Sequence, residues 1–481
     1  MTGGRRGWPG PAAPAILALL ATAGCQCVLD PGSVELPGTF TYSEDAAVYF
    51  IGQEVENVPL VGGVPLASYE IDRPLPAGLH LDMTSGYITG SPAAISRATS
   101  YHVTATNARG HTSETDLSIT VNAVSAGGTV RVNGLAAGGD HTCALLDERI
   151  LCWGENGYGQ LGNGGTANAY LPVVVAGLEG ARAVAAGPYH TCAVAGGGTH
   201  CWGYNDEGQL GNGTKGRSAM PVPVLSDAGD GARSVAAGLR HSCLVAGGGV
   251  QCWGDNFWGQ LGIGVLGDDA GIPMAVQVQG LPPGAVAVAA GFFHTCALVD
   301  GGVLCWGRGD SGQLGNGSRV NKSLPVPVTT LPAGVRAIAA GSNHTCAISD
   351  GGAWCWGQNF SGQLGDGSIG ESPLPVPVLA PGGASAIAAG NYHTCAVADG
   401  GVRCWGNNDA GQLGDGSRVN RPRPVPVPGL TGAAHVATGG DHTCAAGDGG
   451  VFCWGENDAG QLGNDSVPSS TVPVPVYLQE P

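Results

Sequence analysis

One stretch of this chain recurs seven times, so the fold must be an array of equivalent units. The first copy reads His141-Thr142-Cys143-Ala144-Leu145-Leu146-Asp147-Glu148-Arg149-Ile150-Leu151-Cys152-Trp153-Gly154, with Gly159-Gln160-Leu161-Gly162-Asn163-Gly164 close behind. The His-x-Cys element returns at His190, His241, His294, His344, His393 and His442, 49 to 53 residues apart. A unit of that length is too small to bury a core alone. Neighbouring units must share one, which leaves a solenoid or a propeller.

Between the cysteines, short β-type runs flank Asp-Gly or Gly-Gly, as at Asp300-Gly301, Asp350-Gly351, Asp399-Gly400 and Asp448-Gly449. Such pairs mark two-residue hairpin turns. If residues 300 and 301 form the loop, Cys296 falls opposite Cys305, in a narrow, non-hydrogen-bonded pair with Cα atoms about 4.5 Å apart. That separation permits a disulfide. The same nine-residue offset pairs Cys143 with Cys152, Cys192 with Cys201, Cys243 with Cys252, Cys346 with Cys355, Cys395 with Cys404 and Cys444 with Cys453. The rival is a metal site, since His-x-Cys with a cross-strand Cys offers three soft ligands per unit. No fourth ligand recurs at fixed spacing, so disulfides are expected and no metal or other cofactor. The repeated His is expected to be structural, because a catalytic residue is rarely needed seven times.

A complete unit contains four strands. In the fifth these are Arg336-Ala337-Ile338-Ala339-Ala340-Gly341, the two arms of the His344 to Trp356 hairpin, and Leu374-Pro375-Val376-Pro377-Val378. Proline alternating with valine cannot donate to a central ladder, so the last strand belongs at a blade edge. The alanine-rich strand suits a crowded position beside a central channel. Seven such units close into a propeller, which leaves only short edges exposed. The sequence leaves open whether closure mixes strands from both ends. Thr129-Val130-Arg131-Val132 and Val474-Pro475-Val476 are available for it.

The series Ala-Ala-Gly-x-x-His-Thr-Cys, Asp-Gly-Gly-Val-x-Cys-Trp-Gly and Gly-Gln-Leu-Gly resembles the repeats of the regulator of chromosome condensation family over about 350 residues. The resemblance implies a seven-bladed propeller. It also implies two functions: nucleotide exchange on a small GTPase, as in the nuclear archetype, or protein capture by loops on one face, as in the secreted type II beta-lactamase inhibitory proteins. Departures from the archetype are the cysteine pair in every unit, an acidic balance and the absence of a basic tail. The formal charge is −17, from 37 acidic and 20 basic residues, and no run of Lys or Arg interrupts the units. Nucleic acid, which needs a basic face, is therefore not expected as a partner.

The N-terminus adds a compartment. Arg5 and Arg6 precede an apolar run from Ala12 to Ala23, followed by Gly24 and Cys25. This is a signal-peptide pattern, too short to span a bilayer as a mature helix. Its Ala-Gly-Cys ending resembles a lipoprotein lipobox, with Thr22 where an aliphatic residue is usual, and implies lipidation at Cys25 as the alternative to plain secretion. The lipid would be the only link to a membrane, and Cys27 has no obvious partner. Export agrees with the cysteine arithmetic, because disulfides persist in oxidising compartments. The expected domains are a signal segment at 1–27, a β-domain at 28–124 and the propeller at 125–481, and the expected location is the bacterial cell envelope or the extracellular space. In the middle segment, Tyr101 to Thr106 and Leu117 to Val121 alternate as half-buried strands. Pro76-Ala77-Gly78-Leu79, Asp82, Gly86, Ile88 and Gly90-Ser91-Pro92, leading to Asn107, resemble the immunoglobulin-like or cadherin-like domains of bacterial surface proteins. That resemblance implies a small β-sandwich acting as a stalk.

Calcium and phosphate sites are not expected: the Asn407-Asn408-Asp409 to Asp415 turn lacks spaced carboxylates and a terminal Glu, and Gly-Asn-Gly-Thr-Lys at 211–215 lacks phosphate-loop spacing. If repeated positions build the scaffold, function should lie where units differ. The pair before each His varies, through Pro188-Tyr189, Leu239-Arg240, Phe292-Phe293, Ser342-Asn343 and Asn391-Tyr392. So does the turn before Gln-Leu-Gly, with Tyr158, Phe257-Trp258 and Phe360, and the third unit carries an insertion, Ile263 to Ala275. Tyr158, Tyr189, Arg240, Phe257, Trp258, Phe292, Phe293, Phe360 and Tyr392 are thus candidate anchors for an unidentified protein partner, or else packing between units. The expectation is a non-enzymatic, exported or lipid-anchored interaction scaffold. Its alternatives are a GTPase exchange regulator and an extracellular carbohydrate binder or enzyme, the last of which a cluster of carboxylates in the fold would favour.

Overall fold

The computed structural model describes residues 39–43, 46–50, 55–92, 96–122, 131–227, 231–379, 382–466 and 468–478. Arg5, Arg6, the apolar run, Cys25, Cys27 and Thr129-Val130 lie outside them.

The first part is a small immunoglobulin-like β-sandwich with a four-stranded, a three-stranded and a two-stranded sheet. Its two longest strands, Ser96–Asn107 and Thr112–Asn122, pair antiparallel. Their period of two sends Tyr101, Val103 and Ala105, with Leu117, Ile119 and Val121, into a core shared with Phe40, Tyr49, Tyr69 and Ile88. The Tyr42 hydroxyl donates to the Gly86 carbonyl at 2.9 Å, tying the first strand to the turn before Ile88.

The second part is a seven-bladed propeller of seven four-stranded antiparallel sheets. Blades 1 to 7 span 132–174, 183–223, 232–277, 285–327, 335–377, 384–426 and 435–475. Strands follow chain order outward within every blade, so in blade 4 Ala285–Ala290 is innermost and Lys322–Pro327 outermost. The central channel is lined by Ala137, Ala186, Ala237, Ala290, Ala340 and Ala389 with their glycines. Proline stands at the edge, where its missing N–H costs no ladder bond.

The hairpin arithmetic is realised residue by residue. Val299 pairs with Gly302 and Cys296 with Cys305. Asp300 and Gly301 have φ of 50° and 77°, the left-handed pair that a type I′ turn requires. All seven cysteine pairs are disulfide-bonded, each with Cα atoms 4.1 Å apart. With both sulfurs joined, no thiolate is left to hold zinc at these positions.

Blades stack through shared cores. Trp306 of blade 4 is fully buried against Leu261, Val278 and the disulfide of blade 3, and removing such an indole would cost about 3–5 kcal/mol. Among the described residues, closure does not mix strands. Blade 1 is built wholly from 132–174 and blade 7 wholly from 435–475, and the ring shuts by packing Trp153, Leu146 and Leu151 against Val451, Leu462 and Val476. The insertion in blade 3 lengthens its outer strands, with Gly249–Asn256 reaching far enough for Asn256 to oppose Asp268.

Candidate functional site

A ring of hydrogen bonds just inside one face fixes the loops above it. The Thr191 hydroxyl donates to the Gln160 carbonyl at 2.8 Å, and the Trp202 indole N–H donates to the same oxygen. Since the Thr191 hydrogen is committed there, His141 must donate Nε2–H to the Thr191 oxygen, at 2.8 Å. This clamp joins each blade to the next, with Ser242 in place of threonine in blade 3, and it closes the circle where His442 meets Thr142 and Trp153 reaches Gln461. The other ring nitrogen of each histidine has no partner. The imidazoles are therefore neutral. Burial holds six of them down to about 3 and His442 to about 4, and in five a neighbouring imidazole adds to the effect.

The loops that follow Cys-Trp-Gly are held by a buried asparagine in every blade but the fourth, where Gly309 takes its place. The Asn408 amide nitrogen donates to Asp415 Oδ1 and to the carbonyls of Ser417 and Val419, and its oxygen accepts from the Leu413 amide. Asn205, Asn256, Asn359 and Asn457 accept from the equivalent leucine amides. A donor amide thus sits where a calcium ion would need oxygen ligands facing inward.

Both variable positions lie on the face these loops form, because the turn before each His and the turn before Gln-Leu-Gly leave the blade at the same end. Four of the eight candidate aromatics, Tyr158, Tyr189, Trp258 and Phe293, pack between blades. Tyr158 of blade 1 meets Tyr189 and Tyr204 of blade 2 edge-on at 5.5 and 5.1 Å, and Arg217 lies over Tyr158 and Tyr204 at 4.8 and 4.9 Å. Asp206 holds that guanidinium through both oxygens, at 3.2 and 3.0 Å. Trp258 of blade 3 meets Phe293 of blade 4 at 6.4 Å, and Arg308 lies over both, bound to Asp310 at 2.7 Å. Phe292 sits at the channel mouth, and exposed Arg240 pairs with Glu207 at 3.4 Å. The remaining anchors, Phe257, Phe360 and Tyr392, are 43%, 66% and 43% exposed.

The far arc of the face is acidic, and the sequence reading missed it. Phe360, Ser361, Tyr392, Asn407, Asp409, Arg418, Asp441, Glu456 and Asp458 line a pocket of about 650 Å³ across blades 5, 6 and 7. Partial burial, with the charges of Asp140, Asp441 and Asp458, pushes Glu456 up to about 7. Asp140 is raised by burial and by Asp458, and Asp441 by burial and by Asp140 and Asp409. The signal was present in the repeats: Asp140 and Asp441 occupy one repeat position in the first and last units, and Glu155 and Glu456 another. Only ring closure brings them together.

The RCC1-like domain family model matches residues 96–380 and 200–480, and an Ig domain model matches 33–122. The first match reaches back into Ser96–Asn107 and Thr112–Asn122, which pair within the sandwich. The ultraviolet-B receptor UVR8 of Arabidopsis thaliana is 35% identical over 204 residues, 41% of this chain and 46% of the receptor. The human E3 ubiquitin-protein ligase HERC2 is 33% identical over 198 residues, 39% of this chain and 4% of the ligase. The chain thus spans under half the length of either relative. Prp20p from Saccharomyces cerevisiae, solved in a study of its binding to Gsp1p and histones, superposes with a TM-score of 0.60 at 24% identity, over 72% of this chain and 86% of that one.

Proposed function

Because this chain belongs to the RCC1-like domain family, we propose that it is a non-enzymatic interaction scaffold that grips a protein partner with the loops of one propeller face. One observation carries this reading: the residues that differ between units gather on that face, with Phe257, Phe360 and Tyr392 exposed, while the repeated His, Cys and Trp are buried. Aromatic side chains on rigidly held loops offer large contact area at low entropic cost. The scaffold is exported, and Cys25 carries a lipid or lies beside the cleavage site. Seven buried disulfides favour an oxidising compartment, where a cytosolic GTPase partner would not be met. The sandwich then serves as the stalk.

The test is a photo-crosslinking residue placed at Phe257 and, as a control, at Val286, which lies on the innermost strand toward the opposite end of its blade and is 63% exposed. Introduced in the native host, the Phe257 position should trap a discrete protein that the Val286 position does not. Equal adducts from both positions, or none from either, would remove the reading.

The carboxylate cluster favours a second reading, a carbohydrate-binding or hydrolytic face, in which Glu456, pushed up to about 7, stands among the raised acids Asp140 and Asp441. Binding or cleavage of an oligosaccharide, lost in Glu456→Gln, would support it over the first. Acceleration of nucleotide release from a Ran-type GTPase would instead favour an exchange regulator.

A further inference from the structure

Two places on the loop face hold a guanidinium between aromatic rings, and both are filled by this chain. In blade 4, Arg308 follows Cys-Trp-Gly, lies over Trp258 of the preceding blade and Phe293 of its own, and binds Asp310. In blade 2, Arg217 lies over Tyr158 of the preceding blade and Tyr204 of its own, and binds Asp206. Asp206 and Asp310 occupy one repeat position. The same position in blade 6 is Asp409 and in blade 7 is Asp458.

Between blades 5 and 6 the same framework stands without its filling. Tyr392 takes the place of Phe293 and Asp409 that of Asp310, but Asn407 stands where Arg308 would be and Ser361 where Trp258 would be. All four residues line the pocket of about 650 Å³. Two large side chains have been replaced by small ones, and a cavity lies where they would have been. Among the described residues, the Asp409 carboxylate accepts only from the Asn407 amide, at 2.9 Å. Among the described residues no lysine or arginine pairs with Asp441, Glu456 or Asp458. The one cation on the wall, Arg418, is spent on the Asp409 carbonyl and the Ser469 hydroxyl, at 2.8 and 2.6 Å. Four carboxylates and exposed faces of Phe360 and Tyr392 are left around an opening that one guanidinium would complete.

We infer that this pocket receives an arginine side chain of the partner protein, which stacks on Tyr392 and Phe360 and pairs with Asp409 and its neighbouring carboxylates as Arg308 pairs with Asp310. The inference rests on the protein-binding reading and names the chemistry that the partner must present. Arginine is favoured over lysine because both filled sites use a planar guanidinium laid on rings, a geometry an ammonium cannot reproduce.

The probes are N-acetyl-arginine methylamide and N-acetyl-citrulline methylamide, which differ in charge but hardly in shape, titrated against the full chain by ligand-observed NMR. The arginine probe should bind at least tenfold tighter. That preference should vanish in Asp409→Asn with Glu456→Gln, and also in Ser361→Trp with Asn407→Arg, which rebuilds the filled site of blade 4 in the pocket. Asp310→Asn should leave it unchanged, and melting curves show which variants are folded. Equal binding of the two probes, or arginine binding that survives the filled pocket, would overturn the inference. If the filled-pocket variant still yields the Phe257 cross-linked partner, the pocket inference fails and the protein-binding reading stands. If arginine is preferred but no partner is ever trapped, the pocket stands and that reading fails.

Discussion

A single residue, Phe293, separates His294 from Phe292, yet the two belong to different parts of the molecule. His294 is fully buried and donates to Thr345 of the next blade at 2.9 Å, as its counterparts do all round the ring. Phe292 is half-exposed at the channel mouth, where the other blades place Gly139, Pro188, Leu239, Ser342, Asn391 and Gly440. The clamp must repeat because every blade meets the next in one geometry and the seventh must fit the first. The loops above carry no such constraint. Once the clamp and the buried asparagine hold their ends, their side chains are free to differ, and opposite arcs of the face have become aromatic and acidic.

The largest expected effect strikes the buried ring alone. All seven histidines titrate well below their ordinary 6.5 when folded, so unfolding takes up protons as the pH falls below that value. Their stabilisation is complete above about pH 6.5 and is lost toward the folded values near 3, roughly tenfold in the equilibrium per imidazole for each pH unit. The raised acids of the face, Asp140, Glu155, Asp441 and Glu456, oppose this, but they are fewer. Near-ultraviolet circular dichroism of the buried tryptophans should collapse cooperatively between about pH 6 and pH 4. A signal unchanged to about pH 3.5 would mean that the ring does not depend on neutral imidazoles.

Next come the glycines where one blade passes the next. A Cβ on Gly341 would collide with the Gly390 carbonyl oxygen and the His344 ring, neither of which can yield. Gly341→Ala should cost about 3 kcal/mol or more by chemical denaturation. Gly351→Ala, in the hairpin turn at φ +74° with open space around it, should cost about 1–2 kcal/mol. Equal losses would contradict the close packing at the channel. Replacing Cys296 and Cys305 together by alanine should cost about 2–3 kcal/mol, the loop-closure entropy of a nine-residue separation. A single pair should not unfold the ring, since each staple closes only its own hairpin. The smallest effect belongs to the face. Glu456→Gln should raise the melting temperature slightly at about pH 8, where the native carboxyl must ionise near Asp140, Asp441 and Asp458, and should do nothing at about pH 5, where that carboxyl is already protonated. A loss at both pH values would mean that the carboxylate is structurally bonded.

What the sequence made legible follows from the same contrast. The register that sets Cys296 against Cys305, the proline-bearing edge strand and the alanine-lined channel are all local consequences of a repeated unit, and seven copies made the pattern plain. The clamp was only half visible: the His could be called structural, but its threonine partner lies one blade away and its tautomer depends on where that hydroxyl points. The stacking of Arg308 on Trp258 and Phe293 needs side chains from two units, so Trp258 was named without its arginine. The acidic arc was hidden most completely, because Asp140 and Asp441 meet only when the ring closes.

The central claim is that the buried ring builds the fold and the divergent face does the binding. It is tested most directly by the amount of cross-linked partner recovered, with the photo-reactive residue at Trp258, from a chain carrying Phe257→Ser, Phe360→Ser and Tyr392→Ser. All three side chains are exposed, so the melting temperature should match the parent chain while the partner is lost. Full recovery of the partner, or loss of partner and fold together, would contradict the division between ring and face.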